Sequence, residues 1–325
     1  MAQITTNTGA DDVLTTYLVR RFIPSLEHEL QYQKFTTKAT VPQGMGNVAR
    51  FMSFNSPAVN STSITEGTTT ANELTTITTQ ASTITLAEYG EFVAVSRLYD
   101  FTAVSGTRQA LSDRMAYGAA RSLDRVVLTQ IHNVATLAFW ASSTAQNGGS
   151  TTALPALGNA SASALIGAAK NLRDNAAIGF RGVSGHPDGH YACVVSPKFE
   201  LDMVTEGTTM RMTWGEAVTD VPGRMGQEKW VNGYMGSVYG TACYRTQANI
   251  NTTYTNTADN SYLLASDGVA SVSIIDADPQ IYVNTASAGD IGNPYRNSNT
   301  VAWHIFFATA LIDSNRVIKV YSGTT

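Results

Sequence analysis

ITLAEYGEFVAVSRLYDF, residues 84–101, and TRQALSDRMAYGAARSLDRVVLTQIHNVATLA, residues 107–138, together decide how this chain folds. Within the first stretch, residues 84–98 are rich in β-branched and aromatic residues and read as one long strand or two short ones. In the second, Met115, Ala119, Leu123, Val126, Val127 and Val134 fall on one arc at 100° per residue, with Arg114, Arg121 and Arg125 opposite. A helix over 107–138 would reach about 45 Å, which is long for a compact domain and suits a spine.

Working toward the N-terminus, residues 50–83 carry only Glu66 and Glu73 as charges after Arg50, and Glu66-Gly67 is the turn signal among many Thr, Ser and Asn. Two polar strands joined there would make a long hairpin that cannot build a core of its own and needs a neighbour to lie on. Residues 11–33 read as a moderately amphipathic helical arm broken at Pro24. Toward the C-terminus, a Gly/Ser/Thr/Pro break at 142–155 precedes a second helix over 161–175, with Ser161 as its candidate cap. YACVVS (191–196) is a buried-strand pattern, and a short helix over 197–204 starts on Pro197. Further strands are expected at 262–264 and 269–275. Residues 301–321 read as a final long strand or a hairpin.

The composition agrees with a strand-rich α+β protein. Of 325 residues, 43% are hydrophobic and only 14% charged, which excludes a charge-rich disordered chain and a long coiled coil. Roughly 40 threonines favour strands and turns over helix interiors. A net charge of −4 argues against a general nucleic-acid binder, which carries a strongly basic face. Cys193 and Cys243 are too few to staple a secreted chain, so a reducing compartment and a role as small core residues are expected. The longest apolar run, 301–312, is interrupted by His304 and falls short of the roughly 20 residues of a membrane helix, so no membrane partner is expected.

Catalytic motifs are missing from the sequence. There is no G-x-x-x-x-G-K-[ST] phosphate loop, no G-x-G-x-x-G opening a helix after a strand, and no G-x-S-x-G elbow. His186, Asp188 and His190 in GHPDGH could hold a metal if that segment were extended, whereas its Pro and two Gly favour a polar turn. Asp276 and Asp278 before Pro279 share this ambiguity and lack the ligand ladder of a calcium loop. Arg114, Arg121 and Arg125 could face phosphates, or form a solvated face with local pairs to Asp113 and Asp124. No catalytic, cofactor-binding or metal residue is therefore assigned, and no cofactor.

The order of elements, an N-terminal arm, a polar hairpin, a strand leading into a spine helix, a mixed central domain and a returning strand, resembles the Hong Kong 97-type fold of tailed-bacteriophage major capsid proteins. ITLAEYGEFVAVSRLYDF, RSLDRVVLTQI (121–131) and YACVVSPKFELDMV (191–204) carry the resemblance. It implies an N-terminal arm at 1–49, an extended loop at 50–94 and a peripheral domain with the spine at 95–142. An axial domain at 143–282 and a return to the peripheral domain at 283–325 complete the division. The implied function is a self-assembling shell subunit in pentamers and hexamers, enclosing double-stranded DNA without sequence-specific binding. Scaffold, cement and portal proteins are implied partners, and the implied location is the virion capsid after synthesis in the host cytoplasm. The alternatives are a bacterial protein-compartment shell of the same fold and a metal-dependent enzyme using His186, Asp188 and His190.

Some members of that fold weld their shells by an isopeptide bond from a Lys on the extended loop to an Asn, assisted by a Glu. This chain departs from the scheme, because no Lys lies between Lys38 and Lys170 and no Glu follows Glu228.

Overall fold

The computed structural model describes residues 31–42, 44–54, 79–96, 107–134, 137–140, 162–205, 234–246, 252–253, 257–274, 280–284 and 298–323. The expected arm helix at 11–33 and the tip of the polar hairpin lie outside them, apart from a 3₁₀ turn at Tyr32–Phe35.

One sheet is built from β1 (Thr37–Val41), β11 (Val269–Ile274), β13 (Ser298–Leu311) and β12 (Gln280–Asn284) in that order. β4 (Ala87–Ser96) also pairs with β13, antiparallel along its whole length. A second sheet runs β5 (Leu137–Trp140), β14 (Val317–Gly323), β10 (Thr257–Leu264), β6 (Tyr191–Val195), β8 (Thr241–Arg245) and β7 (Tyr234–Val238), with β9 (Thr252–Thr253) on β10. β2 (Val48–Phe54) and β3 (Thr79–Thr85) make a two-stranded ribbon.

The stretch over 84–98 is two strands that part at the buried Leu86, because β3 belongs to the ribbon and β4 to the five-stranded sheet. The β2–β3 register pairs Val48 with Thr85 and Phe54 with Thr79. That register is centred between Glu66 and Gly67, where the sequence puts its turn signal.

The spine is helix α1 (Thr107–Val134), 28 residues or about 42 Å long. Met115, Ala119, Leu123 and Val127 are buried as the periodicity predicts, with Ala116, Ala120, Leu128 and Ile131 completing the face, while Val126 is half-buried. Arg114, Arg121 and Arg125 are exposed. The helix ends short of the expected Ala138. Residues 137–140 instead run parallel to β14, and sheet pairing overrides the helical preference of Leu and Ala there.

This apolar face is the hub of the largest core cluster, which joins Trp303, Ile305 and Phe307 of the first sheet to Val194, Tyr244, Tyr262 and Val317 of the second. The far face of the second sheet is covered by α2 (Ala162–Asp174) and by Phe199 of α3 (Pro197–Thr205). α3 starts on Pro197 as expected. The Ser196 hydroxyl caps it, accepting from the Phe199 N–H at 3.3 Å.

The C-terminal segment corrects the expectation of one long strand or a hairpin over 301–321. β13 joins the five-stranded sheet and β14 the seven-stranded one. The chain crosses between them at Asp313, whose carboxylate accepts from the Asn315 N–H and opens a 3₁₀ turn at Ser314–Arg316. No described helix is long and apolar enough to cross a membrane.

Candidate assembly surface and buried polar sites

The ribbon has an apolar residue on each side. Inward-facing Ala49 and Phe51 of β2 pack with Val41, Ile84, Leu86, Ala270, Val272 and Ala308, which ties the ribbon's base to the five-stranded sheet. By the two-residue alternation of a strand, the opposite side of β2 carries Val48, Arg50, Met52 and Phe54. Val48, Met52 and Phe54 are 51%, 61% and 64% exposed. Phe92 on β4 is 70% exposed and Met45, just before β2, 75%. Large apolar side chains presented in series on a slender ribbon mark a contact surface rather than a core. The alternation within VARFMSF was available as a signal, and the polar hairpin reading passed over it.

Asp124 departs from the expected solvated ion pair. It is buried on the spine, and its Oδ1 accepts the backbone N–H groups of Tyr32 at 2.8 Å and Gln33 at 3.4 Å. The spine thereby anchors the segment entering β1. Burial raises the Asp124 carboxyl to about 6, a rise the backbone N–H groups partly oppose. Eight residues further along the same helix, burial lowers His132 to about 4, helped by Lys319 and Arg125. His132 Nδ1 lies 2.8 Å from the Tyr262 hydroxyl.

These two groups tilt stability in opposite senses. Between about pH 4 and 6 the folded chain holds a proton on Asp124 that the unfolded chain lacks, so this contribution falls as pH rises, by up to about 3 kcal/mol. Between about pH 6.5 and 4 the unfolded chain protonates His132 first, so that contribution is lost as pH falls. Asp124→Asn keeps an acceptor oxygen and removes the buried charge. Urea unfolding should find the variant gaining more over wild type at pH 7 than at pH 4.5. Asp124→Ala should cost about 1–3 kcal/mol by leaving the buried Tyr32 N–H and the half-buried Gln33 N–H without their acceptor.

His186, Asp188 and His190 are not brought together as ligands. His186 is buried among Phe35, Phe180 and Tyr244, with Nδ1 2.8 Å from the Tyr244 hydroxyl and Nε2 2.9 Å from the His190 carbonyl. Asp188 is exposed and accepts from the Gly182 N–H at 3.0 Å, while His190 Nδ1 lies 3.2 Å from the Asp188 carbonyl. The GHPDGH segment is thus a turn, with Gly185 and Gly189 both at positive φ. Among the described residues, no group of three or more His, Cys, Asp or Glu is placed to hold a metal ion. Asp276 and Asp278 lie outside the described residues. Arg121 lies over the Tyr117 ring at 5.7 Å, so the arginine row is in part a solvated face braced on the spine itself. Cys193 and Cys243 are both fully buried as free thiols.

A family model described as phage capsid protein matches residues 79–320, the greater part of the chain. The chain belongs to the phage capsid protein family. No curated protein matches it. Solved phage capsids share the fold at low identity. The capsid of Ralstonia phage GP4 has a TM-score of 0.65 at 11% identity, covering 90% of this chain and 87% of that one. The capsid of cyanophage P-SCSP1u has 0.59 at 15%, covering 91% and 89%. The head structure of Helicobacter pylori bacteriophage KHP40 has 0.59 at 10%, covering 91% of each. The major capsid protein thus has the α+β, Hong Kong 97-type fold expected from its order of elements, and it is a structural component of a virion.

Proposed function

We propose that this capsid protein is the self-assembling subunit of an icosahedral tailed-phage head, arranged in pentamers and hexamers around double-stranded DNA and performing no catalytic turnover. The exposed apolar row Val48, Met52 and Phe54 carries this reading, because burying it needs a neighbouring subunit. Residues 95–142 with the spine serve as the peripheral domain, 143–282 as the axial domain and 283–325 as the return to the peripheral domain. Residues 1–49 serve as an arm and 50–94 as the extended loop, with scaffold, cement and portal proteins as further partners. The subunit is made in the host cytoplasm. A net charge of −4 suits a shell into which DNA is driven and from which it is later released. Negative-stain microscopy of native particles should show closed shells containing DNA. Monomers or small oligomers alone would overturn the proposal, and shells filled with a cargo protein would point to a bacterial compartment.

The same reading predicts how the shell is held. An isopeptide weld in the family's manner needs an amine on the extended loop, and no Lys lies between Lys38 and Lys170. Particles boiled in detergent with reductant should run as single chains near 34.7 kDa. A ladder of high-mass bands would show a covalent chemistry between subunits.

A further inference from the structure

Cys193 on β6 and Cys243 on β8 are direct partners in the parallel register of two neighbouring strands in the seven-stranded sheet. Both side chains fall in the same layer, under α2, and both are fully buried. The neighbouring Cys243 and burial together push the Cys193 thiol well above the usual thiol range, so its proton is held until the sheet opens. Neighbouring strands lie about 4.8 Å apart, and disulfides span Cα separations of about 4.4–6.8 Å. With only two cysteines in the chain, neither has a competing partner within the subunit.

We propose that Cys193 and Cys243 are a latent disulfide, closed within one subunit by a small-molecule disulfide such as oxidised glutathione. The route in is from β7, the last strand on that side of the sheet among the described residues. β7 is five residues long, its register slips between Tyr234 and Gly236, and it sets Gly236, which has no side chain, opposite Cys243. Opening of this short, bulged edge exposes β8. The Cys243 thiolate then attacks one sulfur of the oxidant, forming a mixed disulfide and releasing one glutathione thiolate. Cys193 gives up its proton as its sulfur attacks Sγ of Cys243, the S–S bond between the two residues forms, and the second glutathione leaves. Two protein thiols are oxidised, one glutathione disulfide is reduced to two thiols, and the two protons pass to those leaving thiolates.

The bond would tie β8 to β6 beside the sheet's β7 edge and close a loop from Cys193 to Cys243. Its timing rests on the capsid reading, with thiols kept reduced during synthesis and oxidised once particles leave the host. The chemistry itself needs only the folded subunit.

The test is to incubate the purified full-length protein with oxidised glutathione at pH 8, unfold it, alkylate free thiols and measure intact mass. The expected result is a fall from two alkylated thiols to none, with a mass lower by two hydrogens and both thiols restored by dithiothreitol. Cys193→Ala and Cys243→Ala, each checked for native circular dichroism, should each retain one thiol or carry one glutathione. Two thiols still alkylated, stable glutathione adducts on the wild type, or disulfide-linked dimers would each overturn the proposal. Microscopy of the same sample separates the two readings, because missing shells bear on the capsid assignment and unchanged thiols on the latent disulfide.

Discussion

Leu123→Asp is expected to abolish soluble, folded subunit. Leu123 is 1% exposed at the middle of the spine, in the cluster that also holds residues of both large sheets. An aspartate there is a buried charge in an apolar layer that serves three elements at once, and the loss should exceed about 4 kcal/mol. Against a total stability of about 5–15 kcal/mol, the subunit would not survive expression. Arg121→Ala, two positions away on the exposed side, removes a cation–π contact with Tyr117 and should cost well under 1 kcal/mol. Soluble yield and the thermal transition of the two variants make the comparison. Equal losses would mean that the spine is rotated from the orientation described above.

The second large effect concerns assembly and should leave the subunit almost untouched. Residues 57–76 are centred on the same point as the β2–β3 register, so an Asn-Gly turn in their place keeps Phe54 opposite Thr79 and makes a tight hairpin. The anchoring cluster, with Val41, Phe51, Ile84 and Leu86, is preserved. Circular dichroism and the melting transition should stay close to wild type, while closed particles should fall below detection by light scattering. A collapsed thermal transition would place the removed residues in the subunit's own core. Normal shells would show that the extended loop is dispensable for closure.

Much of this fold could be read from the residues because its elements follow their own periods. The spine's Met115, Ala119, Leu123 and Val127 recur on one helical arc and are buried on it. Pro197 opens α3, and YACVV forms a strand buried at every position. The readings that changed concern contacts far apart in sequence. Nothing local to Asp124 shows that its carboxylate meets the N–H groups of Tyr32 and Gln33, some ninety positions away. Leu137–Trp140 has helical neighbours on its N-terminal side and becomes a strand only because β14 lies beside it. The run through residues 301–321 looks continuous until two sheets compete for its halves. Of the assembly surface, the pairing of the hairpin's two strands was legible, while its turn lies outside the described residues. The outward apolar row of β2 was masked by Thr- and Ser-rich surroundings, although its alternation was present.

The pairing of strands from opposite ends of the chain also governs when a subunit can exist at all. β1, at residues 37–41, lies parallel to β11 at 269–274, and β5, at 137–140, lies parallel to β14 at 317–323. Neither sheet can be completed while its distant strands are still inside the ribosome, and such long loops make closure slow. The half-made chain meanwhile presents unpaired edges and the apolar face of the spine, a species prone to aggregate. Full-length chains should therefore exist before folded subunits do, and the appearance of folded subunit should lag behind the completion of translation.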